Sequence, residues 1–271
     1  MTVLVTGGTG LVGSRLLPRL IAVGVSCRAL VRAGRELPEG VERAEGDLDD
    51  VEALEGAALG VAAVVHLAAV FRTRDEEAIW RVNHDGTRHL IAAVQKVAPN
   101  ARFVLASTNN VYASDLDHPA REDDPTTTTN AYAASKVAAE SELRGSGLTW
   151  TVLRFPFVYG DGDGHLSDAV PVLAQMGAHP AQRFSVLHHE DLAGAVQLAL
   201  AGAMDGRMVN IAGDAPVSIR EMAQLAGVPF EPSSQPLANP WQGQVDSSLA
   251  AQLGFAPRIL TVAQASREKR L

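Results

Sequence analysis

The stretch that decides the fold is Thr6-Gly7-Gly8-Thr9-Gly10-Leu11-Val12-Gly13. It follows Val3-Leu4-Val5-Thr6, a β-branched run that reads as a buried strand, and it leads into Leu11, Leu16, Leu17, Leu20 and Ile21 at helical spacing. In a turn from strand to helix, Gly7, Gly10 and Gly13 permit a tight bend and let backbone N–H groups reach a pyrophosphate at the positive end of the helix. Their placement between these two elements, more than the glycine triplet itself, points to dinucleotide binding.

Working outward, further strands are predicted over 26–31, 41–44, 63–66, 102–106 and 149–153, with helices near 50–58, 76–97 and 131–146 between them. Buried strands alternating with helices indicate an α/β fold, a Rossmann-type doubly wound parallel sheet. Thr126–Thr129 reads as loop. After Leu153, Gly and Pro cluster at 156–180 and Pro again at 229–240, suggesting a smaller, looser region above the sheet. Between these clusters, Phe184 to Leu187, a helix at 190–203 and Arg207 to Ile211 read as a return to the sheet. The expected division is a dinucleotide-binding domain of 1–154 plus 184–212 and a small discontinuous substrate domain of 155–183 plus 213–271.

Composition sets limits on function. The 271 residues are 46% hydrophobic and 20% charged, as in ordinary globular domains. A formal net charge of −8 argues against a basic face for nucleic acid or an anionic membrane. Cys27 is the lone cysteine, which excludes an intrachain disulfide and a cysteine-based zinc site, and the histidine spacing suggests no metal site. The N-terminus lacks the form of a signal peptide, and no apolar run reaches the ~18 residues of a spanning helix, so the cytoplasm is the expected compartment.

The cofactor and the chemistry are read from the strand ends. No acidic residue follows the second strand before Glu36; the window holds Arg28, Arg32 and Arg35 instead. Arg32, just past Val31, suits a 2′-phosphate and favours NADP over NAD. Asp47, after the third strand, is placed to accept from an adenine amine, and the small Ala68 and Ala69 allow backbone to approach the cofactor. His66 reads as structural. Tyr132 and Lys136 share one helix face, where an ammonium is expected to draw the phenol pKa down from ~10 so that it can exchange a proton with an alcohol or ketone. Ser107 and Thr108 end the fifth strand with hydroxyls able to bond the same oxygen. His165, His188, His189 and Asp191 are further polar candidates, with His188 to Asp191 expected to begin and cap a helix.

Several segments together carry a resemblance. TGGTGLVG, Gly46-Asp47-Leu48, His66-Leu67-Ala68-Ala69, the 107–112 segment STNNVY, Glu122-Asp123-Asp124-Pro125 before YAASK, Leu153-Arg154 through Val158-Tyr159-Gly160, and His188 to Ala193 occur in the order of the extended short-chain dehydrogenases/reductases. Asp246 to Leu253 followed by Gly254-Phe255-Ala256-Pro257 is similar too. The resemblance implies Tyr132 as catalytic acid/base, Lys136 as the residue tuning it and holding the nicotinamide ribose, and Thr108 on the substrate oxygen. It also implies Gly7, Thr9, Gly10, Leu11 and Val12 at the pyrophosphate, Asp47 and Leu48 at the adenine, Ala68 at the ribose, and Phe155 and Pro156 at the nicotinamide. Its further implication is a homodimer through the helices of 131–142 and 79–94.

Two departures narrow the activity. Phe157 stands where the family's nucleotide-sugar epimerases tend to carry Asn, and Asn109-Asn110 where its dehydratases carry Asp-Glu. The expected activity is hydride transfer between NADP and a carbonyl or alcohol of a small, partly apolar substrate. The alternatives are a nucleotide-sugar epimerase that retains NAD(P), or a dinucleotide-sensing protein without catalysis.

Overall fold

The computed structural model describes residues 1–126 and 130–271. Seven parallel strands form one sheet: β1 (Thr2–Thr6), β2 (Ser26–Val31), β3 (Val41–Glu45), β4 (Ala63–His66), β5 (Arg102–Thr108), β6 (Thr149–Phe155) and, far along the chain, a strand at Arg207–Asn210. From one edge the order is Arg207–Asn210, β6, β5, β4, β1, β2, β3, so the order reverses beside β1, as in the Rossmann arrangement. Val3, Leu4 and Val5 are fully buried, which is why a run with no polar alternation makes the central strand.

Helix α1 (Gly13–Ala22) buries Leu16, Leu17 and Leu20 on one face of the sheet with Val196 and Ala199 from a helix at His189–Leu200. On the other face, α2 (Val51–Ala58) supplies Leu54, and the segment expected as one helix over 76–97 supplies Leu90 and Val94. That segment is three pieces, α3 (Glu76–Trp80), a π-helical turn (Arg81–Asp85) and α4 (Gly86–Val97). Helix α5 (Ala131–Gly145) packs on the same face through Ala139 and Leu143 and is capped by Asn130, whose side chain accepts from the Ala133 N–H.

Beyond β6 come β7 (Phe157–Tyr159), α6 (His165–Gln175), β8 (Arg183–Phe184), β9 (Val186–His188) and α7 (His189–Leu200), followed by β10, the sheet-edge strand at Arg207–Asn210. The rest comprises β11 (Val217–Ser218), α8 (Ile219–Ala226), α9 (Ser248–Gln252) and α10 (Val262–Arg267). One expectation is corrected here. Phe184 to Leu187 does not rejoin the main sheet; β8 pairs antiparallel with β11, and β9 pairs in parallel with β7. Residues 207–210 do rejoin it, beside β6. A separate core of Tyr159, Leu166, Val170, Met222, Ile259 and Val262 holds α6, α8 and α10 together. His188 caps α7 as expected, accepting from the Glu190 N–H. Of the expected loop over Thr126–Thr129, Thr126 bridges to Tyr112 and 127–129 lie outside the described residues.

Candidate active site

The glycine turn is built by close backbone contact. Gly7 has φ 71°, and a Cβ there would lie 2.6 Å from the Ala68 nitrogen; one on Gly13 would lie 2.2 Å from the Gly7 carbonyl oxygen. Neither position admits a side chain, which brings β1, the end of β4 and the first turn of α1 together. Thr9, Gly10 and Leu11 are exposed on this turn, Val12 is half-buried, and no side chain caps α1. An anion-binding helix end and an uncluttered turn fit a dinucleotide pyrophosphate.

The flanking candidates converge on the same edge. Arg32 is exposed one residue beyond β2, whereas Arg28 is committed to Glu42 at 2.9 Å and to the Ala57 and Leu59 carbonyls, and the Arg35 carbonyl accepts from Arg43. Asp47 is exposed and accepts from the Leu48 N–H at 2.7 Å; the helix cap that an Asp after a strand often supplies comes from Asp50 instead. Leu48 is buried against Gly86. Phe155 and Pro156 are buried at the end of β6, with Phe155 in register with Thr108.

His66 is fully buried and hydrogen-bonded on both ring nitrogens, Nδ1 to Thr6 Oγ1 at 2.5 Å and Nε2 to Thr87 Oγ1 at 2.9 Å. Burial, with help from the Lys136 charge, lowers its pKa to about 3, so it is neutral at ordinary pH. The structural reading of this histidine holds, with partners that its sequence neighbours do not reveal.

Thr108, Tyr132 and Lys136 come together where β5 meets α5. The Thr108 hydroxyl faces the Tyr132 phenol, whose pKa it lowers, and accepts from the Asn110 N–H at 3.1 Å. Lys136, one turn on, is 2% exposed. The expected lowering of the phenol pKa is absent: burial pushes Tyr132 up to about 12, and the opposing influence comes from Thr108, not from Lys136. Desolvation outweighs any charge effect in the chain alone, and the same burial pulls Lys136 down to about 8 against the upward pull of Glu140.

Several residues that shape this centre were not assigned a role from the sequence. In the π-turn, buried Asn83 accepts from the Val70 N–H at 2.7 Å and donates to the Val70 carbonyl and to Ser135 Oγ, fixing the loop after β4 against α5. That loop places the Phe71 ring 4.5 Å from the Tyr132 ring. Beneath Lys136, Glu140 pairs with Arg154 at 2.6 Å, with side-chain exposures of 4% and 3%, and accepts from the Ser107 hydroxyl. Arg154 also donates to the Tyr112 hydroxyl at 2.9 Å, and Tyr112 donates to Asn210 at 2.7 Å, so the network runs from α5 to the sheet edge.

A buried strand end offering a hydroxyl, a phenol and an amine one helical turn apart, and a glycine turn thus lie at the same edge of the sheet. The chain belongs to the NAD dependent epimerase/dehydratase family, whose model matches residues 3–212, and within it to the extended short-chain dehydrogenases/reductases. It is 33% identical to a ceramide reductase of Caulobacter vibrioides over 70% of this chain and 58% of that protein. It is likewise 33% identical to a UDP-glucose 4-epimerase of Azospirillum brasilense over 64% of this chain and 54% of that protein. The matches span a little over half the length of these two relatives. The crystal structure of the UDP-glucose 4-epimerase of Thermus thermophilus in complex with NAD superposes with a TM-score of 0.78 at 26% identity, covering 98% of this chain and 97% of the other. Among the described residues no helix is long and apolar enough to cross a membrane.

Proposed function

We propose that this protein is an NADP-dependent reductase or dehydrogenase acting on the carbonyl/alcohol pair of a small, partly apolar substrate. The observation that carries the reading is Tyr132, whose phenol burial keeps protonated and which the Thr108 hydroxyl meets. A protonated phenol at neutral pH is poised to donate to a carbonyl oxygen, the reductive direction. Thr108 orients and polarises that oxygen. Lys136 holds positive charge at the base of the site and stabilises the phenolate left after proton donation; it also stands ready for the nicotinamide ribose.

The glycine cradle fits a dinucleotide. Gly7, Thr9, Gly10, Leu11, Val12 and Gly13 would hold the pyrophosphate, Asp47 and Leu48 the adenine, Ala68 the ribose, Phe155 and Pro156 the nicotinamide, and Arg32 a 2′-phosphate. When bound, the nicotinamide supplies the hydride to the carbonyl carbon, while Tyr132 supplies the proton to the oxygen. In this reading 1–154 plus 184–212 bind the cofactor and 155–183 plus 213–271 cover the substrate, in a cytoplasmic homodimer paired through α4 and α5.

Similarity to a UDP-glucose 4-epimerase favours a second reading, a sugar-nucleotide epimerase that keeps its cofactor. Against it stands Phe157, an apolar ring where an amide would meet a substrate diphosphate. A panel of ketones and aldehydes assayed for NADPH oxidation, beside UDP-glucose assayed for epimerisation, separates the two. Carbonyl-dependent NADPH consumption is the expected result; tight UDP-sugar binding and epimerisation without net consumption would replace this reading with the second. Light scattering at micromolar concentration should give two chain masses, and one would refute the dimer.

A further inference from the structure

A chain of side-chain contacts runs around the front of the Tyr132 hydroxyl. Phe71, 50% exposed, lies against Tyr132, and the Arg72 guanidinium carbon stands 5.4 Å from the Phe71 ring centre. Arg72 then reaches His165 Nε2 at 2.5 Å. The His165 ring stacks on Phe157 at 4.3 Å with 21° between planes. Phe157 follows Phe155 and Pro156, and Phe155 is in register with Thr108, which returns the circuit to Tyr132. The mouth of the site is thus walled by flat rings and holds one guanidinium.

The charge on that guanidinium is not neutralised. His165 Nδ1 faces the Val158 carbonyl oxygen at 2.7 Å, and since a carbonyl can only accept, Nδ1 carries the proton and Nε2 accepts from Arg72. The imidazole is therefore neutral, and it occupies one of the five N–H donors of the guanidinium. Among the described residues no carboxylate lies within the 4.0 Å of an ion pair with Arg72. Its backbone has φ 60°, a left-handed conformation that a non-glycine residue adopts only at a cost. An exposed cation held in a left-handed turn next to Phe71, with no carboxylate partner among the described residues, is arranged for a ligand.

We propose that Arg72 is a specificity-determining residue that binds a carboxylate or comparable oxyanion on a flat, aromatic carbonyl substrate whose ring lies between Phe71 and Phe157. Rings stack on such walls by offset or edge contact, and a guanidinium pairs with a carboxylate through two parallel hydrogen bonds. The neutral His165 holds the fork without competing for the anion. This deepens the carbonyl-reductase reading and rests on it.

The test compares 4-formylbenzoate with its methyl ester in NADPH oxidation by the wild type, Arg72→Met and Arg72→Lys. The wild type should favour the acid in kcat/KM by about tenfold or more, the scale of a hydrogen bond to a charged group. Arg72→Met should bring the ratio of acid to ester close to one, and Arg72→Lys should keep part of it. An acid-to-ester ratio that is near one in the wild type, or that survives in Arg72→Met, overturns the assignment. If neither aldehyde consumes NADPH while other carbonyls of the panel do, the aromatic-acid assignment fails; if no carbonyl of the panel does, the reductase reading fails, and the subsite is judged by calorimetric binding of terephthalate to the NADPH complex. Binding weakened at least tenfold in Arg72→Met supports the subsite, and equal or undetectable binding refutes it.

Discussion

Replacing Glu140 with Gln removes one member of a buried ion pair while leaving its shape. Arg154, 2% exposed and donating to Glu140 through Nε at 3.1 Å and Nη2 at 2.6 Å, would keep its charge with no counter-ion. Stranding a buried charge in this way costs about 3–5 kcal/mol. For a chain of this size each kcal/mol lowers the melting temperature by roughly 2–4 °C, so the variant should melt roughly 6–20 °C below the wild type. The double variant Glu140→Leu/Arg154→Met removes both charges and both desolvation penalties. Tyr112 keeps its bond to Asn210, while the Ser107 hydroxyl must repartner and Lys136 loses the upward pull of Glu140, a loss that the Glu140 single variant shares and that cancels in the cycle. The double variant should therefore be more stable than Glu140→Gln, with a coupling energy of about 2 kcal/mol or more in a double-mutant cycle. Urea unfolding of wild type, Glu140→Leu, Arg154→Met and the Glu140→Leu/Arg154→Met double variant closes the cycle and measures it, with Glu140→Gln as the isosteric reference. Additive losses, with the double variant the least stable, would show that the pair is not the unit the buried geometry suggests.

Tyr132→Phe should leave dinucleotide affinity nearly intact and lower turnover at least ~100-fold, the scale of general acid catalysis; single-turnover kinetics with an active carbonyl substrate reads it, and comparable turnover refutes the role. Arg32→Asp should weaken NADPH binding and leave NADH binding equal or better in fluorescence titrations; a wild type that already prefers NADH refutes the cofactor assignment. His66 makes the fold acid-sensitive. Its folded pKa of about 3 lies below the ordinary histidine value of 6.5, so below 6.5 the unfolded chain takes up a proton that the folded chain refuses until about 3. Stability should fall as pH drops through that window, and His66→Gln should flatten the fall in urea midpoints between about pH 7 and 4; an unaltered slope would place the acid sensitivity elsewhere.

The parallel sheet was legible because its inner strands are buried on both faces, leaving short apolar runs such as Val3-Leu4-Val5 that no surface strand would carry. The glycine turn was legible for a steric reason: Gly7 and Gly13 have backbone where a Cβ would go. Strands of two or three residues, such as Arg183–Phe184 and Val186–His188, have no room for a period, so apolar character there indicated burial without naming the partner. The polar network beneath Lys136 was invisible because its members, Ser107, Tyr112, Glu140, Arg154 and Asn210, are distant in sequence and become neighbours only through the strand register and α5. The Tyr132 phenol went the other way from the spacing argument because that argument counted a neighbouring charge and left out the loss of water.

The turn at Arg81–Asp85 gives the segment between β4 and β5 one residue of slack relative to an α-helix. Helix α5 lies against α3, against the π-turn and against α4, so the slack decides which side chains each half turns toward the tyrosine. Taking one residue out of that turn would act as a rotation of about 100° more than as a shortening. Asn83 would swing off Val70, and the loop bearing Phe71 would lose its tether to α5, while the sheet and the glycine turn kept their own contacts. A length change there is a dial on the surroundings of Tyr132, set apart from the glycine turn at the other end of the candidate site.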